Sequence, residues 1–121
     1  MANKQVQETV KPMVVRDSET SEVYTLDFSR EAVQFAERRG FVIGDVAKYP
    51  STLVRELFFY AFRKNHKRIA RDRTDALLDE LGGLTDQQLA RLVELYQQAA
   101  LYGVVRDADE VKNSKLTVEL D

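Results

Sequence analysis

The chain has 121 residues, a formal net charge of -2 and no cysteine. That length fits a single domain, the near balance of charge makes it neither a polycation for nucleic acid nor a disordered polyelectrolyte, and the missing thiol excludes disulfides, thiol catalysis and thiolate metal sites. No apolar run reaches the ~18 residues of a membrane span, and the opening MANKQVQETVK lacks a signal-peptide core, so a soluble, cytoplasmic setting is expected.

Residues 1–11 are polar and aperiodic and read as a flexible arm. Met13–Arg16 is a candidate first strand, joined through the turn-rich Asp17–Glu22 to a second strand at Val23–Phe28, which makes a hairpin. In that second strand Tyr24, Leu26 and Phe28 share one face, and Val23, Thr25 and Asp27 share the other. Ser29 stands where an N-cap belongs, so a helix is predicted over Arg30–Arg39. Its apolar face carries Ala32, Val33, Phe35 and Ala36, and Gly40 suits the left-handed position after its end. The connector Phe41–Tyr49 has room for one helical turn, and Pro50 can open the next helix, where its missing N–H costs nothing.

That next helix is predicted over Ser51–Lys67. Leu53, Val54, Leu57, Phe58, Tyr60, Ala61 and Phe62 cover a broad apolar arc, with Leu57, Phe58, Ala61 and Phe62 as the expected centre of the core. Arg55, Glu56, Arg63, His66 and Lys67 lie opposite, and Phe59 falls among them on the polar arc. Asp72 or Thr74 can cap a short helix with Leu77, Leu78 and Leu81, which Gly82 and Gly83 end. Thr85 and Gln88 form a capping box opening a final amphipathic helix. Its stripe is Leu89, Leu92, Val93, Tyr96, Ala99 and Ala100, and Gly103 closes it. From Arg106 to the end the chain is charged and reads as a mobile tail. The sum is one α+β domain over 12–105: an N-terminal β-hairpin packed on a small bundle of about four helices.

Candidate chemistry is sparse. His66, the one histidine, lies among Arg63, Lys64, Lys67 and Arg68 and reads as a solvated surface side chain. The run holding Arg63, Lys64, Lys67, Arg68 and Arg71 is the strongest charge feature and could contact phosphates. The plainer reading is a cationic helix C-terminus offset by Asp72, Asp75 and Asp79, with no aromatic interleaved for base stacking. Asp107, Asp109 and Glu110 start like a calcium loop, but the sixth position lacks glycine and the twelfth is Val118. No catalytic constellation, metal site or cofactor is therefore expected, and function is sought in surfaces. Phe59, Leu101 and Tyr102 lie off the main stripes of their helices and are the candidate protein-interaction residues. A nucleic-acid-binding or regulatory module using residues 63–73 is the rival reading.

Four segments carry a family resemblance: YTLDFSREAV, ERRGFVI, YPSTLVRELFFYAFRKNHK and LLDELGGLTDQQLARLVELYQQA. In wording and order they resemble the tail assembly chaperones of long-tailed siphophages and prophages of Gram-positive hosts, over about two-thirds of the chain, between Val23 and Gly103. The resemblance implies a non-enzymatic protein that binds the tape measure protein and keeps it soluble while tail tube subunits assemble around it. It further implies self-association, action in the host cytoplasm, absence from the finished virion and, in many relatives, a longer frameshifted form.

Overall fold

A computed structural model describes residues 9–105 and 115–120, so most of the expected arm and the first part of the expected tail lie outside the described residues. The architecture is α+β: a two-stranded antiparallel hairpin followed by four helices. Strands β1 (Met13–Arg16) and β2 (Val23–Leu26) pair with Val15 opposite Tyr24 and Met13 opposite Leu26. Asp17 organises the loop between them, its Oδ1 accepting the N–H groups of Glu19 and Thr20. Tyr24, Leu26 and Phe28 all point inward and are buried, as the alternation requires.

Helix α1 (Arg30–Arg38) begins at Ser29, whose hydroxyl accepts the Ala32 N–H at 3.1 Å. It buries Ala32, Val33 and Ala36, and Gly40 follows it with φ +87°. A single 3₁₀ turn at Ile43–Asp45 fills the connector. Helix α2 (Pro50–Tyr60) is shorter than the pattern predicts: residues 61–65 form turns instead of continuing it to Lys67. The physical reason is tertiary. The Ala61 carbonyl, which a continuing helix would offer to the Asn65 N–H, accepts the N–H of Asp27 from the end of the hairpin at 3.0 Å. The core centre nevertheless stands where expected, because Leu57, Phe58, Ala61 and Phe62 are all essentially inaccessible.

Helix α3 (Arg71–Leu81) starts after Ala70 with no side-chain cap, so neither Asp72 nor Thr74 plays the role predicted for it. Thr74 is instead fully buried and donates its hydroxyl to the Arg71 carbonyl at 3.0 Å. Gly82 ends the helix at φ +73°. Helix α4 (Asp86–Leu101) opens with the predicted capping box, Gln88 N–H to Thr85 Oγ1 at 3.1 Å and Thr85 N–H to Gln88 Oε1 at 2.9 Å. It buries Leu92, Leu95, Tyr96 and Ala99; Leu95 was not on the predicted stripe and is covered because α4 packs against both α1 and α2. The Tyr96 ring meets Phe28 and Phe41 edge-on, and burial pushes its phenol up to about 12. The chain before β1 lies on α4 as well: Val10 N–H donates to Gln98, and Arg91 donates to the Lys11 carbonyl.

Candidate interaction surface

The end of α4 carries an exposed apolar run. Leu101, Tyr102, Val104 and Val105 are 52%, 73%, 74% and 62% exposed, interrupted only by Gly103. Main-chain bonds hold its shape, with the N–H groups of Val104 and Val105 both donating to the Leu101 carbonyl at 3.0 Å. Arg30, at the start of α1, lies over the Tyr102 ring with 5.9 Å to its centroid. Gly103 has φ +76°, a conformation that favours glycine, and a Cβ there would meet only the far end of the flexible Arg30 side chain. Two of the three predicted interaction residues, Leu101 and Tyr102, thus stand together on one open edge. Val104 and Val105 belong to the same edge and were not singled out from the sequence; their run of apolar residues around one glycine was the available signal.

Phe59 sits elsewhere. It is half-buried, tilted against Tyr60 at 5.6 Å and covered by the Arg71 guanidinium at 5.6 Å from its ring centroid. With Phe35, Arg63, His66, Lys67 and Ile69 it lines a small, partly open crevice. The polar arc on which the sequence places it does not stay open, because the turns after Tyr60 fold back across it.

His66 is a tertiary linchpin and not the solvated side chain expected. Its Nε2 accepts the Thr25 N–H at 3.0 Å, and its ring meets Tyr24 edge-on at 5.4 Å. Beside it Asn65 donates to the Thr25 carbonyl at 3.1 Å, so the loop after α2 satisfies the outer edge of β2.

The basic run is largely paired. Arg63 makes a forked contact with Glu31 at 2.8–3.1 Å while stacking on Phe35 at 3.7 Å. Lys64 meets Asp27 at 2.8 Å and Arg71 meets Asp75 at 3.1 Å. Lys67 and Arg68 are exposed and form no salt bridge among the described residues. Arg73, the last residue of the run, joins Asp17 and Glu22 of the hairpin loop to α3. Of the three acids predicted to offset the run, Asp72, Asp75 and Asp79, Asp75 pairs with Arg71 of the run, whereas Asp79 pairs with Arg55 of α2.

These pairs make stability pH-dependent. The hydrogen bond from Arg63 holds the Glu31 carboxyl below its ordinary value, and main-chain donors from Glu19 and Thr20 do the same for Asp17. A carboxyl depressed in the folded state binds its proton more readily when unfolded. Its contribution is therefore complete above the unfolded value of about 4 and is lost as pH falls through the lower folded value. Melting temperature is expected to hold through neutral pH and decline below about pH 5. Glu31→Gln should be less stable than the parent at neutral pH and flatten the acid decline in thermal melts; an unchanged profile would show that the Arg63 fork contributes nothing.

Among the described residues no group of acidic and histidine side chains is arranged to hold a metal ion, and no helix is long and apolar enough to cross a membrane. The fold is a small α+β domain with an exposed apolar edge at the end of α4. The chain belongs to the family described as Domain of unknown function (DUF5055), whose model matches residues 1–120. No curated protein and no solved structure matches it.

Proposed function

We propose that this protein is a non-enzymatic phage tail assembly chaperone. It binds the long, helical tape measure protein and keeps it soluble while tail tube subunits assemble around it. The observation that carries the reading is the open apolar edge Leu101–Val105. A helical client exposes an apolar stripe until it is packed in the tail, and such a stripe aggregates unless a partner covers it. A short, solvent-facing apolar edge gives the reversible cover required, since apolar area drives the contact. The resemblance of residues 23–103 to tail assembly chaperones supports the same reading. So does the pairing of Arg63, Lys64 and Arg71 with acids, which weighs against residues 63–73 as a phosphate-binding patch. In this role the protein acts in the host cytoplasm, self-associates and is absent from the mature virion.

Co-expression with a siphophage tape measure protein tests the proposal. The client should be soluble with the parent chain and aggregate without it. The double variant Leu101→Asp/Tyr102→Asp should fail to rescue while melting like the parent. Phe59→Asp, by contrast, should lower the melting temperature, because Phe59 is packed. A client equally soluble with and without the chain would overturn the proposal.

A further inference from the structure

One edge of the hairpin is closed and the other is open. The Asp17 N–H donates to the Glu22 carbonyl at 2.9 Å, so in this register the directly hydrogen-bonded pairs are Asp17 with Glu22, Val15 with Tyr24 and Met13 with Leu26. Val14 and Arg16 must then turn their N–H and C=O groups away from β2. The opposite side agrees, since Thr25, the partner of Val14, directs both its groups outward to His66 and Asn65. The outer edge of β2 is thereby occupied. No protein group meets the outward N–H and C=O of Val14 or Arg16 among the described residues, and both residues are exposed. An unpaired strand edge of this kind is a template for another strand.

The same chain carries a segment fitted to that template. Residues 115–120, Lys-Leu-Thr-Val-Glu-Leu, alternate polar and apolar side chains with the period of a half-buried strand. They lie outside helix and strand, with Val118 81% and Leu120 93% exposed. Set antiparallel along β1 with Val118 opposite Val15, the segment places Leu120 opposite Met13. Both apolar side chains then extend the inner face, where Met13 and Val15 are only partly covered. Thr117 and Glu119 fall on the outer face beside Arg16 and Val14, which brings the Glu119 carboxylate diagonal to the Arg16 guanidinium. Apolar side chains meet apolar ones on the inner face, and on the outer face Arg16 lies diagonal to both the Glu119 anion and the Lys115 cation.

We propose that residues 115–120 of one copy add as a third strand to the open edge of β1 in a second copy. Among the described residues the sheet holds only β1 and β2, so edge and segment are not strand-paired with each other within one molecule; the contact between copies is heterologous and head-to-tail, and repetition closes a ring or extends a chain. This contact rests on the self-association proposed above and gives it a surface; it uses neither Leu101 nor Tyr102, so its failure is read in the oligomeric state and leaves the client-binding edge to its own co-expression test.

The full-length chain tests this by sedimentation velocity over a concentration series. Val14→Pro removes an outward N–H without touching the β1–β2 ladder, and proline suits an edge position. Val118→Asp/Leu120→Asp puts charge on the inner face of the added strand. The parent should associate with rising concentration, and each variant should do so at least roughly tenfold more weakly while keeping the parent's melting temperature. An equimolar mixture of the two variants is the decisive arm. One supplies an intact segment and the other an intact edge, so the mixture should form a pair that grows no further. A parent that stays monomeric throughout, including one that docks its own segment, overturns the proposal. So do variants that associate as well as the parent, or a mixture that yields no pair.

Discussion

Phe58→Ala is expected to reduce the free energy of unfolding by roughly 3–5 kcal/mol. The ring is 1% exposed and meets Phe62 edge-on at 5.1 Å, and Phe62 in turn meets Tyr24 of the hairpin at 5.5 Å. Truncation removes the transfer free energy of a buried ring and leaves a cavity that α2, fixed at both ends, cannot close. Natural domains hold only about 5–15 kcal/mol in total, so the variant should populate unfolded chain at modest denaturant. Urea titration followed by circular dichroism measures it. A midpoint equal to the parent's would remove Phe58 from the centre of the core.

His66→Ala is expected to cost about 1–3 kcal/mol, although the residue lies within a charged run. The variant strips the acceptor from the part-buried Thr25 N–H, while also removing the ring beside Tyr24. His66→Gln retains an acceptor of similar reach and should lose less. Equal melting of all three proteins would return His66 to the solvated surface. Hydrogen exchange gives a second readout, because the Thr25 amide should lose protection in the alanine variant and keep part of it in the glutamine one.

Local rules made much of this fold legible. Ser29, Gly40, Gly82 and the Thr85–Gln88 box act through bonds within a few residues, and each stands where its chemistry requires. The alternation of Tyr24, Leu26 and Phe28 likewise fixed the inward face of β2. Three of the misses share one cause. The end of α2 is set by a carbonyl that bonds Asp27, more than thirty residues away in sequence. The cover on Phe59 and the acceptor role of His66 both follow from that early end, since the turns it creates carry His66 to β2 and bring Arg71 over the Phe59 ring. Thr74 could pass for a cap because a threonine ahead of a leucine pair has the same signature whether its hydroxyl faces solvent or its own helix. Of the candidate surface, Leu101 and Tyr102 were visible as apolar residues off a stripe. The open edge of β1 was not, because it depends on the hydrogen-bonding parity of the hairpin, which composition does not encode.

The central claim is that Leu101, Tyr102, Val104 and Val105 bind a helical client by apolar burial. Titration calorimetry of the purified chain with a helical segment of the tape measure protein, repeated at several temperatures and salt concentrations, tests it most directly. Apolar burial gives a negative heat-capacity change and an affinity that salt hardly moves, and Leu101→Asp/Tyr102→Asp should abolish the heat of binding. A heat-capacity change near zero with affinity falling steeply in salt, or unaltered binding by the double variant, would contradict it.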